Sequence, residues 1–230
     1  MNEPNLKEQL WVVIAAWNEA SKIRDVVTLV REHYSNVVVV DDGSTDDTWS
    51  KASAGGAWVL RHPLNLGQGA ALQTGIEFAL LNDAELVATF DADGQHDVHD
   101  LAAFVAAIRT NSADIAIGSR FLGATTGMTI TRKIMLKAAI LFTRITTGLK
   151  LTDTHNGLRV LTRVAAQRIR ITQNRMAHAS QILEQIAELE LVYVEVPNTI
   201  TYTQYSMAKG QRTSQFVRVL VDWLMGKIGR

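Results

Sequence analysis

Asp91 and Asp93, spaced i, i+2, close the apolar run ELVATF at residues 85 to 90, and Gln95 and His96 lie just beyond them. Two carboxylates spaced in this way, where a strand gives way to a loop, can share one hard cation and leave positions open for phosphate oxygens. That is a chemistry for holding a nucleotide diphosphate. The competing reading is a polar turn that closes a buried strand. A second acidic cluster, VVVVDDGSTDDT at 37 to 48, strengthens the first reading. Its four valines suit a strand buried on both faces of a parallel sheet, and Asp41 and Asp42 stand at its end, where open α/β sheets place their ligands. Gly43 permits a sharp turn. Ser44 with Asp47 fits the start of a capped helix whose dipole favours Asp46 and Asp47, so those two acids read as structural.

The elements that must position these groups alternate between strand and helix in the first half of the chain, which predicts a mostly parallel central sheet with helices on both faces. Strands are expected at Trp11 to Ala16, Val37 to Asp41, Ala57 to Leu60, Glu85 to Asp91 and Asp114 to Gly118. A helix is expected from about Glu19 to His33, with Ile23, Val26, Val27 and Val30 facing the core. Another follows NLGQGAALQTG at 65 to 75, where Gly67 and Gly69 would let backbone approach a ligand.

At 230 residues, 47% hydrophobic and 20% charged, the chain is long enough to bury a full core, and no repeat or linker divides it. We read residues 1 to 230 as one domain. Lys plus Arg and Asp plus Glu each count 23, which gives no reason to expect a nucleic-acid partner. The absence of cysteine excludes disulfides and thiolate metal sites. The first residues, MNEPNLKEQL, lack a basic segment followed by an apolar one, so a cytoplasmic location is expected. No apolar run approaches the roughly 18 residues that span a bilayer.

Taken in order, AAWNEA at 15 to 20, DDGSTDDT at 41 to 48, NLGQGAALQTGI at 65 to 76, DADGQH at 91 to 96, GSRF at 118 to 121 and DTHNGLR at 153 to 159 resemble the family-2 glycosyltransferases, whose nucleotide-binding fold is called GT-A. Within that family the dolichyl- and polyprenyl-phosphate sugar synthases are most similar, over about residues 11 to 210. The resemblance implies a Rossmann-like α/β fold with a nucleotide-sugar part at about 11 to 118 and an acceptor part at about 119 to 230. It implies that Ala15, Trp17 and Glu19 line the nucleoside pocket, that Asp42 recognises the base, and that Gln68 and Ala92 also border the donor. Asp91 and Asp93 would form the DxD element, with Mg²⁺ or Mn²⁺ held mainly by Asp93 and Gln95 beside Asp91. The donor that the resemblance implies is a UDP- or GDP-linked sugar.

On the acceptor side, the resemblance sets Arg120 facing an acceptor phosphate, which a guanidinium can grip with a bidentate fork. The alternative is an arginine paired with one of the aspartates. Asp153 is the leading general base if the acceptor is a hydroxyl, whereas a phosphate acceptor needs no base. Arg132 aligns with a second phosphate-binding arginine. Leu136 departs from the pattern, standing where the synthases commonly have a serine. No acidic residue lies between Phe121 and Thr152. A helix from about Ile130 to Thr147 would carry Lys133, Lys137 and Arg144 on one side and Ile134, Ala138, Leu141, Phe142 and Ile145 on another. That suits a helix lying on an anionic membrane surface, although packing on a core is the commoner use of such a pattern.

The stretch LVYVEVP at 191 to 197 reads as a strand. Beyond it, Thr203, Ser206 and Ala208 replace the arginine, glycine and serine of the synthases' donor-closing segment, while Lys209 is retained. Lys209 is the expected diphosphate contact, with Arg212 a weaker one. A last helix from about Thr213 gathers Phe216, Val219, Leu220, Trp223 and Leu224 on one face, open to packing, to dimerisation or to docking on a small membrane protein. The functional expectation is an inverting, metal-dependent transfer of a sugar to a polyprenyl phosphate at the cytoplasmic membrane face. A saccharide-hydroxyl acceptor, or a non-catalytic nucleotide-sugar binder, are the alternatives.

Overall fold

In the computed structural model, residues 9–173 and 177–202 are described. Lys209, Arg212, the substituted positions Thr203, Ser206 and Ala208, and the helix expected from Thr213 lie outside the described residues.

Seven strands form one sheet: β1 (Leu10–Ala16), β2 (Asn36–Asp41), β3 (Trp58–Arg61), β4 (Leu86–Asp91), β5 (Ile115–Thr126), β6 (Arg159–Thr162) and β7 (Tyr193–Thr201), in the order β3-β2-β1-β4-β6-β5-β7. The first four are mutually parallel, β6 runs antiparallel to β4 and β5, and β7 runs parallel to β5. Successive residues of a strand point to opposite faces, and each face has its own core. Val12, Ile14, Val37, Val39 and Phe90 face one side, packed with Ile23, Val27 and Val30 of α1 (Ile23–His33) and Leu101, Phe104 and Ile108 of α4 (Asp100–Asn111). Val13, Val38, Val87 and Ile117 face the other, against Leu72 and Ile76 of α3 (Gln68–Leu81) and Ile182, Leu183 and Ile186 of α7 (Ala177–Glu188). Burying each such aliphatic side chain contributes about 1.5–3 kcal/mol, which is why β2 can be almost wholly valine.

Three local expectations change. The first helix starts at Ile23, not Glu19, because the preceding loop spends its polar groups across the sheet: Glu19 N–H donates to Thr48 Oγ1 at 2.8 Å. Ser44 and Asp47 do not form a capping box. Asp46 takes that role, accepting from Thr48 N–H at 3.0 Å as α2 (Thr48–Ala54) begins, while Ser44 Oγ accepts from Asn18 N–H at 2.9 Å. And β5 runs past Gly118 to Thr126, because β7 continues beside it after an irregularity between Ser119 and Ala124. The partner is remote in sequence, so no local pattern announces the extension. At Gly69 a methyl would overlap the Gln173 carbonyl oxygen, so the glycine also serves close packing of chain on chain.

Two further helices complete the described chain, α5 (Ile130–Thr147) and the short α6 (Arg163–Arg168). α5 has the expected bounds, with Thr129 capping its start and Gly148 ending it in a left-handed conformation. No helix among the described residues is long and apolar enough to cross a membrane.

Candidate active site

The strand order reverses between β1 and β4, and the carboxyl ends of β1, β2 and β4 meet there, the position at which open α/β sheets hold ligands. In register, Ala15 lies opposite Asp91 and Ala16 opposite Asp41. The loop after β1 is clasped to the loop after β2: Asp42 N–H donates to Ala16 O at 2.8 Å, and Thr45 N–H to Asn18 Oδ1 at 2.9 Å. Asn18 holds a positive φ of 52° in this clasp. Trp17 is left half exposed beside it, and Glu19 is buried.

Asp42 is committed inward. Its Oδ1 accepts from Leu66 N–H at 2.9 Å and meets His62 Nδ1 at 2.8 Å, while Oδ2 accepts from Gly67 N–H at 2.7 Å. The carboxylate thereby fixes the 62–67 loop that leads into α3, a role beside the base recognition that the family pattern implies. Asp41 is fully buried, accepting from Ser44 N–H at 2.9 Å with Arg61 Nε 3.4 Å away.

Asp91 and Asp93 stand together at the tip of β4 with unequal partners. Asp91 Oδ2 meets His96 Nε2 at 2.8 Å, and Gln68 Nε2 donates to Oδ1 at 3.4 Å. Burial pushes the Asp91 carboxyl up, but the His96 hydrogen bond and the charges of His96, Arg159 and His178 outweigh it and hold the group below the ordinary carboxylate range. Among the described residues Asp93 receives only Gln95, through its backbone N–H at 3.1 Å and its Nε2 at 2.5 Å. Burial, followed by the adjacent Asp91 charge, pushes Asp93 up to about 6. Two carboxylates close together with too little positive charge between them fit a hard divalent cation, and Asp93 with Gln95 supplies oxygen-bearing side chains for it. Among the described residues no group of three or more His, Cys, Asp or Glu side chains is gathered to hold an ion unaided. Ala92, between the two aspartates, is buried.

The DTHNGLR loop backs this cluster. A methyl on Gly157 would overlap both carboxylate oxygens of Asp91, so only glycine lets the loop lie flat against it. Gly157→Ala is therefore expected to displace Asp91. Misplacement on the ångström scale can cost about 100-fold in rate, and steady-state kinetics beside a melting curve will show whether kcat/KM falls by that order while the fold persists.

On the acceptor side Arg120 is engaged within the protein. Arg120 Nε donates to Asp153 Oδ2 at 2.6 Å, NH1 to the Tyr202 hydroxyl at 2.6 Å and NH2 to His155 O at 2.5 Å, with both charged side chains buried. The Arg120 guanidinium is thus paired with an aspartate in this structure. Asp153 is correspondingly closed: Oδ2 also accepts from Arg120 N–H at 3.1 Å and Oδ1 from His155 N–H at 3.1 Å, and the residue is 0% exposed. As arranged, it is a poor general base, because a base must reach the proton it removes. The loop itself is held by Glu195 Oε1, which accepts from Thr152 N–H at 2.7 Å and Asp153 N–H at 3.1 Å.

Arg132 lies in the first turn of α5 and is partly exposed. Its guanidinium carbon sits 4.6 Å from the centre of the Tyr202 ring, so Tyr202 joins the two arginines, by its hydroxyl to Arg120 and by its face to Arg132. Only Ala139, Ile140 and Thr143 of α5 are buried. Ile130, Ile134, Leu141 and Ile145 are 60–80% exposed, beside exposed Lys133, Lys137 and Arg144. The apolar side expected to face a core or a membrane is thus turned away from the core.

Sequence reading gave no role to Tyr202, His155, Gly157 or Arg159. No local pattern singled out Arg159, because β6 is only four residues long. Burial pushes His155 down to about 4, so it is neutral near pH 7.

A family model for Glycosyl transferase family 2 matches residues 11–170. The chain is 30% identical over 243 residues to the UDP-N-acetylglucosamine–dolichyl-phosphate N-acetylglucosaminyltransferase of Methanococcus voltae, covering 96% of this chain and 97% of that one. It is 26% identical to the polyprenol monophosphomannose synthase of Mycolicibacterium smegmatis, over 95% of this chain and 88% of that one. The fold is similar to glucosyl-3-phosphoglycerate synthase from Mycobacterium tuberculosis in complex with Mn²⁺, UDP and phosphoglyceric acid, with a TM-score of 0.70, 19% identity, and coverage of 94% of this chain and 78% of that one.

Proposed function

The chain belongs to glycosyl transferase family 2, with the GT-A fold, and we propose that it moves a sugar from a nucleoside diphosphate donor to a polyprenyl monophosphate at the cytoplasmic face of a membrane. The observation that carries the choice of acceptor is the closed Arg120–Asp153 pair. A hydroxyl acceptor needs a base at the reacting oxygen, and the carboxylate best placed for that work is buried against a guanidinium. A phosphate is already ionised and attacks without one. Similarity along nearly the whole chain to two enzymes named for dolichyl-phosphate and polyprenol supports the same reading.

In this reading Ala15, Trp17, Glu19, Gln68 and Ala92 border the nucleoside and its phosphates. Asp42 holds the 62–67 loop that completes the pocket. Asp93 and Gln95, backed by Asp91, would hold Mg²⁺ or Mn²⁺, which when bound supplies positive charge to the departing diphosphate. His96 and Gln68 keep Asp91 oriented beside them. Arg132, steadied by the Tyr202 ring, meets the acceptor phosphate, and Lys209 contacts the diphosphate. The phosphate oxygen attacks the anomeric carbon opposite the leaving group, so the configuration inverts. Most of the rate enhancement is electrostatic. Residues to about 118 serve the donor and the later ones, Lys209 apart, the acceptor, within one domain.

The exposed side of α5 supplies the membrane contact. Each Lys or Arg near an anionic surface is worth about 1 kcal/mol, so the double variant Lys133→Gln, Lys137→Gln is expected to lower binding to phosphatidylserine vesicles about 30-fold at low salt. Co-sedimentation measures this, and nucleotide affinity should stay unchanged. The reaction itself is tested with labelled UDP- and GDP-sugars and polyprenyl phosphate. Label extracted into organic solvent is expected, and label found solely in an aqueous glycan would overturn the acceptor assignment.

A further inference from the structure

Arg159 is among the most deeply buried side chains in the protein, 2% exposed, on β6 between Thr89 of β4 and Ile117 of β5. Among the described residues its Nε has no hydrogen-bond partner, and no carboxylate comes within ion-pair distance of its guanidinium. Asp153 is taken by Arg120 and Asp91 by His96. A buried charge left without a partner costs several kcal/mol of stability in the free protein, and local rules are broken in this way mainly at functional sites. Its position indicates what the missing partner is. The charge of Arg159 is felt by Asp91 on the donor side and by Asp153 and His155 on the acceptor side, so it sits at the junction of the two.

We propose that Arg159 is the fixed cation of the reaction centre, whose guanidinium receives a phosphate oxygen of the bound substrates. This rests on the reading that both substrates carry phosphate. The oxygen belongs either to the donor diphosphate or to the acceptor monophosphate, and the two have the same chemistry toward a guanidinium.

The test uses Arg159→Met and Arg159→Lys in the full chain, with melting temperature and calorimetric binding of UDP and GDP in the presence of Mn²⁺, and of farnesyl phosphate. Methionine replaces an unpaired buried charge by apolar volume, so the ligand-free variant should melt at or above the wild-type temperature while kcat falls at least 100-fold. Lysine keeps the charge without the fork and should retain intermediate activity. Weakened diphosphate binding with farnesyl phosphate unaffected assigns the oxygen to the donor, and the reverse assigns it to the acceptor. A methionine variant that melts lower, or fails to fold, together with a lysine variant of wild-type kcat and unchanged affinities, would mean that Arg159 is structural. Absence of nucleotide and lipid-phosphate binding by the wild type would instead remove the functional reading on which the proposal stands.

Discussion

Alanine at Asp93 is expected to lower kcat by about a thousandfold or more and to leave the melting temperature unchanged or raised. Charge stabilisation by a bound divalent ion is worth several kcal/mol to a transition state, and each 1.36 kcal/mol is a factor of ten in rate. The stability half follows from the carboxyl's environment. Burial and Asp91 raise Asp93 to about 6, so above that pH the free protein carries an unfavourably placed negative charge that alanine removes. The sign is opposite to that of a salt-bridged aspartate. A proton that the native state holds and the unfolded state does not adds stability at low pH, and that contribution is lost as pH rises through about 6. Because the cation needs the deprotonated form, Mn²⁺ affinity should weaken as pH falls below about 6. Steady-state kinetics, calorimetric scans and Mn²⁺ titrations from pH 5 to 8 measure all three. An Asp93→Ala enzyme with near wild-type turnover in saturating metal would refute the assignment.

The second large effect is on folding. Asp153→Ala leaves Arg120 buried with the Tyr202 hydroxyl and a backbone carbonyl but no counter-charge. Removing one partner of a buried pair typically costs about 3–5 kcal/mol. For a chain of this length that is a fall of roughly 10 °C in Tm. Replacing both partners by apolar residues, Arg120→Met with Asp153→Leu, should restore most of the lost stability, because neither charge is then stranded. Asp153→Asn separates structure from chemistry. Its pH–rate profile should keep the wild-type acid limb, whereas loss of that limb would restore Asp153 as a general base and with it a hydroxyl acceptor.

The two carboxylate clusters were legible in the sequence for a simple reason. Strand β4 and strand β2 are apolar runs that end abruptly in acids, and in a parallel sheet such ends converge. The helix α5 was equally legible, since its bounds follow from eighteen residues without a breaker, a threonine at one end and a glycine at the other. What local patterns could not show was pairing at a distance. Arg120 and Asp153 are 33 residues apart, and Tyr202 reaches Arg120 across 82. The motif resemblance placed Arg120 toward the acceptor phosphate and Asp153 near the attacking group, and in the fold the two side chains are paired with each other. Gly157 was quoted within a motif without a reason, and the reason is steric contact with Asp91 that only the folded chain reveals. Arg159 belongs to the same class, because four residues of β6 are too few to display a period that would mark its charge as out of place.

The most direct measurement is anomalous scattering at the manganese edge from crystals soaked with Mn²⁺ and a nucleoside diphosphate. A peak within coordination distance of an Asp93 carboxylate oxygen, with diphosphate oxygens on its far side, is the expected result. Ordered nucleotide at the ends of β1 and β2 with no peak beside Asp93 would contradict it.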